Sequence, residues 1–256
     1  MNRFFVCGDL HGSVENFKQV ISQIDNPTEK DFLICAGDVG IEYGGNVYGN
    51  IKKVMKHFPG TIIVMRGNHD DRYWANHVDA YLNPKNANWE IITCFGSSYL
   101  RQKTYPNIWY VQDDGGIYHL GYYNILFIPG AYSVDKYYRL LLGFPYNPKE
   151  QLTKTEQNNI TYHVGNFLSM GGTIDFVISH TAPLKLQSYF NDLFLEGLDQ
   201  STVDNSMEIW LDELSKWYEN CPQFKQCFFG HYHDDRVIND KYTMLYHNVE
   251  NLSDYE

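Results

Sequence analysis

The sequence predicts an α/β fold in which two β-sheets are stacked between helical layers. Three observations carry this reading. Five apolar runs, Phe4-Phe5-Val6-Cys7, Phe32-Leu33-Ile34-Cys35, Ile62-Ile63-Val64-Met65, Phe176-Val177-Ile178 and Cys227-Phe228-Phe229, have the continuous hydrophobicity of strands buried on both faces. Apolar residues at helical spacing lie between several of them. The middle of the chain breaks instead into short apolar pieces divided by turn residues, the mark of antiparallel strands.

The elements follow in order. After the first strand, Ser13 is a candidate N-cap for a helix carrying Val14, Phe17, Val20, Ile21 and Ile24. A second helix is expected over Val47, Ile51, Val54, Met55 and Phe58, stopped by Pro59-Gly60. The first third therefore reads as parallel βαβ units. Between Trp89 and Ile128, Glu90-Ile91-Ile92, Ile108-Trp109-Tyr110, Ile117-Tyr118-His119-Leu120 and Asn124-Ile125-Leu126-Phe127 read as antiparallel hairpins, with Asp113-Asp114-Gly115-Gly116 as a turn. Residues 129–148 form an irregular polar and aromatic stretch, a candidate substrate loop. Helices marked by Ile160, Val164, Phe167 and Leu168, and by Val203, Met207, Trp210, Leu211, Leu214 and Trp217, precede the last two buried strands. Arg236 to Tyr246 reads as a closing hairpin. No repeat or linker divides the chain, and its 256 residues suit one domain, 1–256.

Composition narrows the partners. The formal charge of −11 makes long nucleic acid a poor partner, while cations bound in a pocket would still draw phosphate into it. The high aromatic content, 16% and mostly tyrosine, is read as core and strand packing ahead of nucleobase stacking. Five cysteines without a CxxC pair fit buried free thiols and a reducing, cytoplasmic setting. The N-terminus enters a strand almost at once, so no signal peptide is expected, and no apolar stretch approaches the ~20 residues of a membrane span.

Chemistry gathers where the buried runs end. Asp9 and His11 follow the first, Asp38 the second, Asn68 and His69 the third, His180 the fourth, and His231 with His233 the fifth. Ligands of open α/β sheets bind beyond the carboxyl ends of the strands. Residues at i and i+2 of an extended segment point the same way, so Asp9 with His11, and His231 with His233, can each reach one ion. Asp38 stands alone in a glycine turn, and its two oxygens could bridge two ions. The mixed N and O donors suit Mn, Fe or Zn better than Ca. A single Gly-Asp or Asn-His pair is usually only a turn; the ordered set of five is what carries the signal.

The order Gly8-Asp9-Leu10-His11-Gly12, Gly37-Asp38, Gly67-Asn68-His69-Asp70, Ser179-His180, Gly230-His231-Tyr232-His233 resembles the calcineurin-like metallophosphoesterase family. The resemblance implies a four-layer α/β/β/α sandwich. It also implies two metal ions, one held by Asp9, His11, Asp38 and His233 and the other by Asp38, Asn68, His180 and His231. A hydroxide shared by the ions would be the nucleophile. His69 would assist the leaving oxygen, with Asp70 either orienting it or supporting its loop.

The motifs are similar to those of the serine/threonine protein phosphatase branch and its bacterial and phage relatives, with two departures: the third motif ends in Asp70 where that branch has Glu, and the turn after the bridging Asp differs. That branch follows the bridging Asp with a second Asp and an Arg; here Ile41 and Glu42 take those places. The partner of His69 is then expected from Glu42 or Asp70. Arg66, Arg72, Lys136 and Arg139 become the candidate substrate cations. A phosphomonoesterase is the leading reading, its substrate a phosphorylated small molecule or nucleotide, with a phosphoprotein as a further candidate. A phosphodiesterase is the alternative. A non-catalytic scaffold is the third class, and retention of all seven ligand positions with His69 argues against it. His57, His77, His119, His163 and His247 lie outside the motifs and are read as structural or surface residues. Oligomeric state is left open.

Overall fold

In β1 (Arg3–Cys7), Phe4 and Val6 face one apolar layer, and Phe5 and Cys7 face another. Successive side chains of a strand point to opposite faces, so a strand apolar throughout needs cover on both. The same division recurs in β8 (Tyr123–Ile128): Ile125 and Phe127 join the layer of Phe4, while Leu126 and Ile128 join a third. The shared layer lies between two sheets, and the outer two lie under helices. This is the α/β/β/α order that the sequence predicts. The computed structural model describes residues 1–41, 51–83, 87–143, 147–193 and 203–255.

The first sheet also contains β2 (Asp31–Cys35), β3 (Thr61–Val64), β4 (Trp89–Cys94), β5 (Ser97–Gln102), β6 (Ile108–Tyr110) and β13 (Val249–Asn251). Its order is β13-β1-β2-β3-β6-β5-β4. The second sheet adds β7 (Gly116–Leu120), β9 (Phe176–Ser179), β10 (Gln226–Phe229), β11 (Arg236–Asn239) and β12 (Tyr242–Met244) to β8, in the order β11-β12-β10-β9-β8-β7. The pairs β1/β2 and β2/β3 are parallel, as are β8/β9 and β9/β10. Parallel pairing brings the carboxyl ends of β1, β2 and β3 to one edge, and those of β9 and β10 to one edge of the other sheet.

Helix α1 (Val14–Ile21) begins as expected, with Ser13 accepting a hydrogen bond from the Asn16 N–H. Helix α2 spans Ile51–Met55; Val47, expected in its first turn, lies outside the described residues, and Phe58 follows the helix as a buried residue. Short helices α3 (Tyr73–Asn76), α4 (Asp79–Leu82) and α5 (Lys136–Leu141) precede α6 (Lys154–Ser169) and α7 (Ser206–Tyr218). Thr153 and Glu156 form a reciprocal capping box at the start of α6, an arrangement worth about 1 kcal/mol.

The middle of the chain departs from the hairpin reading in one respect. β4 and β5 form an antiparallel hairpin, as do β7 and β8. β6 and β7 do not pair; β6 lies parallel to β3 in the first sheet, and the turn at Asp113–Gly116 leads into the second. A turn motif fixes the local reversal but not which sheet the next strand joins. The closing hairpin of β11 and β12 is present. β13, antiparallel to β1, carries a half-exposed Val-Glu-Asn with no apolar run to announce it.

Tyr73, Tyr99, Tyr110, Tyr118, Tyr123, Tyr218 and Tyr242 are buried, in line with a packing use of tyrosine. Cys7, Cys35 and Cys227 are buried free thiols. No helix among the described residues is long and apolar enough to cross a membrane.

Candidate metal centre

The loops that leave the parallel strands are tied to one another by backbone. The N–H groups of Leu10 and His11, after β1, donate to the Asp38 carbonyl at 3.1 and 2.8 Å, and Gly12 N–H donates to Val39 O. Six non-glycine residues among those described have positive φ, and four of them are His11 (49°), Asp38 (45°), His231 (72°) and His233 (54°). An L-residue in this left-handed region costs about 1–2 kcal/mol. Strain of that kind persists where surrounding structure over-determines it, and it clusters at functional sites. The glycines of the motifs have steric reasons. A Cβ on Gly67 would lie 2.1 Å from Asp38 Oδ1, and one on Gly37 would lie 2.2 Å from His180 Nδ1.

These loops bring all seven expected donors together in two sets. On one side, His11 Nε2 and His233 Nε2 lie 2.8 Å apart and face Asp9 Oδ2 at 3.8 and 3.4 Å. On the other, Asn68 Oδ1 lies 2.8 Å from His180 Nε2 and 3.1 Å from His231 Nδ1, while Asp38 Oδ1 lies 3.5 Å from His180 Nε2. Asp9, Asp38 and His180 also offer mutually close ligand atoms. Asp9, Asp38, Asn68 and His180 are all buried, whereas His233 reaches solvent.

Outer contacts aim these donors. His180 Nδ1 sits 2.8 Å from the Ala36 carbonyl, which leaves Nε2 turned to the site. Asn68 Nδ2 donates to Ser133 Oγ at 2.9 Å, so its carbonyl oxygen faces His180 and His231. Ser133 Oγ in turn donates to Glu150 Oε2 at 2.6 Å, and Ser133 N–H donates to Glu150 Oε1. The sequence reading missed Ser133 and Glu150, because nothing local marks a hydrogen bond spanning 65 residues.

Burial and neighbouring charge set the protonation of these donors. Burial works against ionising Asp38, yet His180 beside it holds its carboxyl well below the ordinary range. Burial would also lower His180, but Asp38 and Asp9 outweigh it and push the imidazole up to about 9. His180 therefore carries a proton near neutral pH, positioned between oxygen donors. Burial drives His231 far down and His11 to about 4, so those rings are neutral donors. Burial pushes Asp9 well above the usual carboxylate range. Two buried carboxylates, one neutral amide oxygen and four imidazoles fit cations of the Mn, Fe or Zn type.

His69 stands beside the donors, its Nε2 4.0 Å from Asp38 Oδ2 and its backbone N–H on Asp38 Oδ1 at 2.9 Å. The ring is about one-fifth exposed. Asp70 does not reach it: both Asp70 oxygens accept backbone N–H bonds, from Val39, Gly40 and Gly67. Asp70 thus joins the His69 loop to the Asp38 turn, even though burial and nearby Asp38 push its carboxyl up to about 6. Glu42, the other expected partner of His69, lies outside the described residues. Ile41 is buried in the helix-side layer of the first sheet.

The four candidate cations divide. Arg66 is 2% exposed and donates to the carbonyls of Asp113 and Glu150, each at 2.8 Å. Arg72 pairs with Glu156 and donates to Lys149 O and Gln151 O. Both depart from the substrate role read in sequence: Arg66 is buried with Nε and Nη1 on backbone carbonyls, and Arg72 is paired with Glu156 and two carbonyls of the 149–151 stretch. Lys136 lies over the Tyr132 ring at 5.4 Å. Arg139 lies near Asp135, at 3.7 Å, and its charge acts on His69: burial chiefly, then Arg139 against the opposing pull of Asp38, holds that imidazole below its ordinary range.

The description of the calcineurin-like phosphoesterase family matches residues 2–235. No curated protein matches the chain. One solved structure superposes on 100% of this chain and 96% of its own at 12% identity and a TM-score of 0.50. A phosphopantetheinyl hydrolase from Mycobacterium tuberculosis is similar over 96% of this chain and 88% of its own, at 14% identity and a TM-score of 0.46. A protein of unknown function from Aquifex aeolicus is similar over 78% and 84%, at 14% identity and a TM-score of 0.36. At 12% identity the first of these likenesses is one of fold alone.

Proposed function

The chain belongs to the calcineurin-like phosphoesterase family and is a metal-dependent phosphoester hydrolase; from that premise we propose that it is a phosphomonoesterase acting on a phosphorylated small molecule, with nucleotides among the candidates. The observation that carries the reading is the convergence of two donor sets on Asp38 with His69 beside them and outside both sets. Asp9, His11, Asp38 and His233 would hold one cation, and Asp38, Asn68, His180 and His231 the other. Bound there, two cations of the Mn, Fe or Zn type activate water and neutralise phosphoryl oxygens.

The chain's own residues do the rest. The hydrolysis joins a water oxygen to phosphorus, breaks the ester P–O bond and returns a proton to the leaving oxygen. His69, about one-fifth exposed beside Asp38, is the group placed to give the leaving oxygen a hydrogen bond, stabilising its charge until it takes the proton released by the attacking water. Its position below the ordinary histidine range makes it a neutral donor near pH 7. Arg139, whose charge reaches His69, is the candidate clamp for the phosphoryl group, and Lys136 lies three residues before it on α5.

The test is a panel of aryl phosphate, nucleoside monophosphates, cyclic nucleotides and a bis-aryl diester, run with added Mn before and after chelation. Monoester turnover well above diester turnover, lost on chelation, is the expected result. A diester preference would overturn the monoesterase reading. Near-normal turnover by Asp38→Asn would overturn the shared role of Asp38.

A further inference from the structure

His180 and His231 enter one donor set from the neighbouring parallel strands β9 and β10, whose last residues, Ser179 and Phe229, lie opposite each other. The residues that follow these histidines meet elsewhere. Thr181 Oγ1 donates at 2.9 Å to Oε1 of Glu208, in the first turn of α7, and the Tyr232 hydroxyl lies 2.9 Å from the same Thr181 oxygen. A hydroxyl has one proton to give. Thr181 spends its own on Glu208, so Tyr232 is the donor to Thr181, and the bonds run from Tyr232 through Thr181 to α7. Thr181 is buried. The Tyr232 ring packs against the helix-side layer of the second sheet, its centroid 4.5 Å from that of Phe190.

Tyr232 stands between His231 and His233, which belong to different donor sets. Both histidines have positive φ, a conformation that strains an L-residue and persists only where the surroundings hold it. Asp9 Oδ2 holds the start of this turn through the His231 N–H at 3.0 Å. We propose that Tyr232 is a positioning residue that holds its middle: the hydroxyl, bonded to Thr181, fixes the turn that presents His231 to one cation and His233 to the other. The bond also ties the loop after β10 to the loop after β9, which carries His180. The inference rests on the two-cation assignment of the donor sets above. Contacts of this outer kind orient the groups that bind a metal, and their loss typically weakens binding about 10–100-fold.

Tyr232→Phe deletes the hydroxyl and keeps the ring. Chelated protein is titrated with Mn by calorimetry and with cobalt(II) for its visible absorption, beside thermal unfolding of the metal-free form. Mn affinity should fall about tenfold or more, with an altered cobalt spectrum, in a variant that still unfolds cooperatively. Thr181→Val should weaken Mn binding in the same way, and Thr181→Ser, which keeps the hydroxyl, should bind Mn as the wild type does. Because the two hydroxyls act through one bond, the double variant Tyr232→Phe with Thr181→Val should bind Mn no more weakly than the weaker single variant. A merely structural role would lower thermal stability and leave the folded protein's Mn affinity and cobalt spectrum unchanged; that result would overturn the proposal, and so would additive losses in the double variant. Uptake of fewer than two cations by the wild-type protein would overturn the two-cation assignment together with the proposal. Neither result bears on the preference for monoesters, which the substrate panel tests separately.

Discussion

Ser133→Ala removes one oxygen from the relay that aims Asn68. Ser133 Oγ accepts from Asn68 Nδ2 at 2.9 Å and donates to Glu150 Oε2 at 2.6 Å, and all three residues are 2% exposed. The substitution strands a buried amide N–H and removes one donor from the buried Glu150 carboxylate. A stranded buried group costs about 1–3 kcal/mol, so the metal-free protein should lose roughly that much stability. The lost packing is a single oxygen, so a cavity adds little. Asn68 is also freed to rotate its carbonyl away from His180 and His231. Losses of this kind typically weaken metal binding about 10–100-fold, or about 1.4–2.8 kcal/mol. The assay is a titration of chelated protein with Mn, followed through aryl phosphate hydrolysis, with thermal unfolding measured in parallel. Half-saturation should shift upward by that factor, with much of the turnover recovered at saturating Mn. An unchanged half-saturation point in a folded variant would refute the view that Ser133 aims the Asn68 oxygen.

Three further outcomes test the site. His69→Ala should lose turnover about 10²-fold or more while metal content stays near wild type; a clear loss of metal would make His69 a ligand instead. Arg139→Ala should raise KM for monoesters more than it lowers kcat, and an unchanged KM would remove Arg139 as the clamp. His180 sits at about 9 in the metal-free protein, so it is protonated at pH 7.5, and its proton must leave when a cation arrives. Calorimetry in buffers of different ionisation enthalpy should show roughly one proton released from this group at pH 7.5, declining as pH rises through about 9. Release that does not change over that range would contradict the assignment.

The fold was legible because burial on both faces leaves a mark in sequence: strands such as Phe4-Phe5-Val6-Cys7 are apolar without alternation. The edges were less legible. β13 has no apolar run, and the Asp113–Gly116 turn does not state that the chain changes sheets. The candidate metal ligands were readable because each follows a buried strand within a few residues, and parallel pairing carries those ends to one edge.

Local sequence thus determined which residue types stand at the strand ends, and with them the phosphoester chemistry. Tertiary structure decided how the supporting charges are used. Arg66 and Arg72 read in sequence as cations near the third motif, yet burial turns them onto carbonyls of residues 113 and 149–151. Asp70 neighbours His69 in sequence, yet its oxygens are taken by three backbone N–H groups. Ser133 and Glu150 carry no ligand motif, and they acquire meaning only from what lies across from them in space. The physical reason is that a strand's apolar pattern is a local property of the chain. The partner of a buried charge is set by long-range packing, which must satisfy each polar group with whatever the fold brings near.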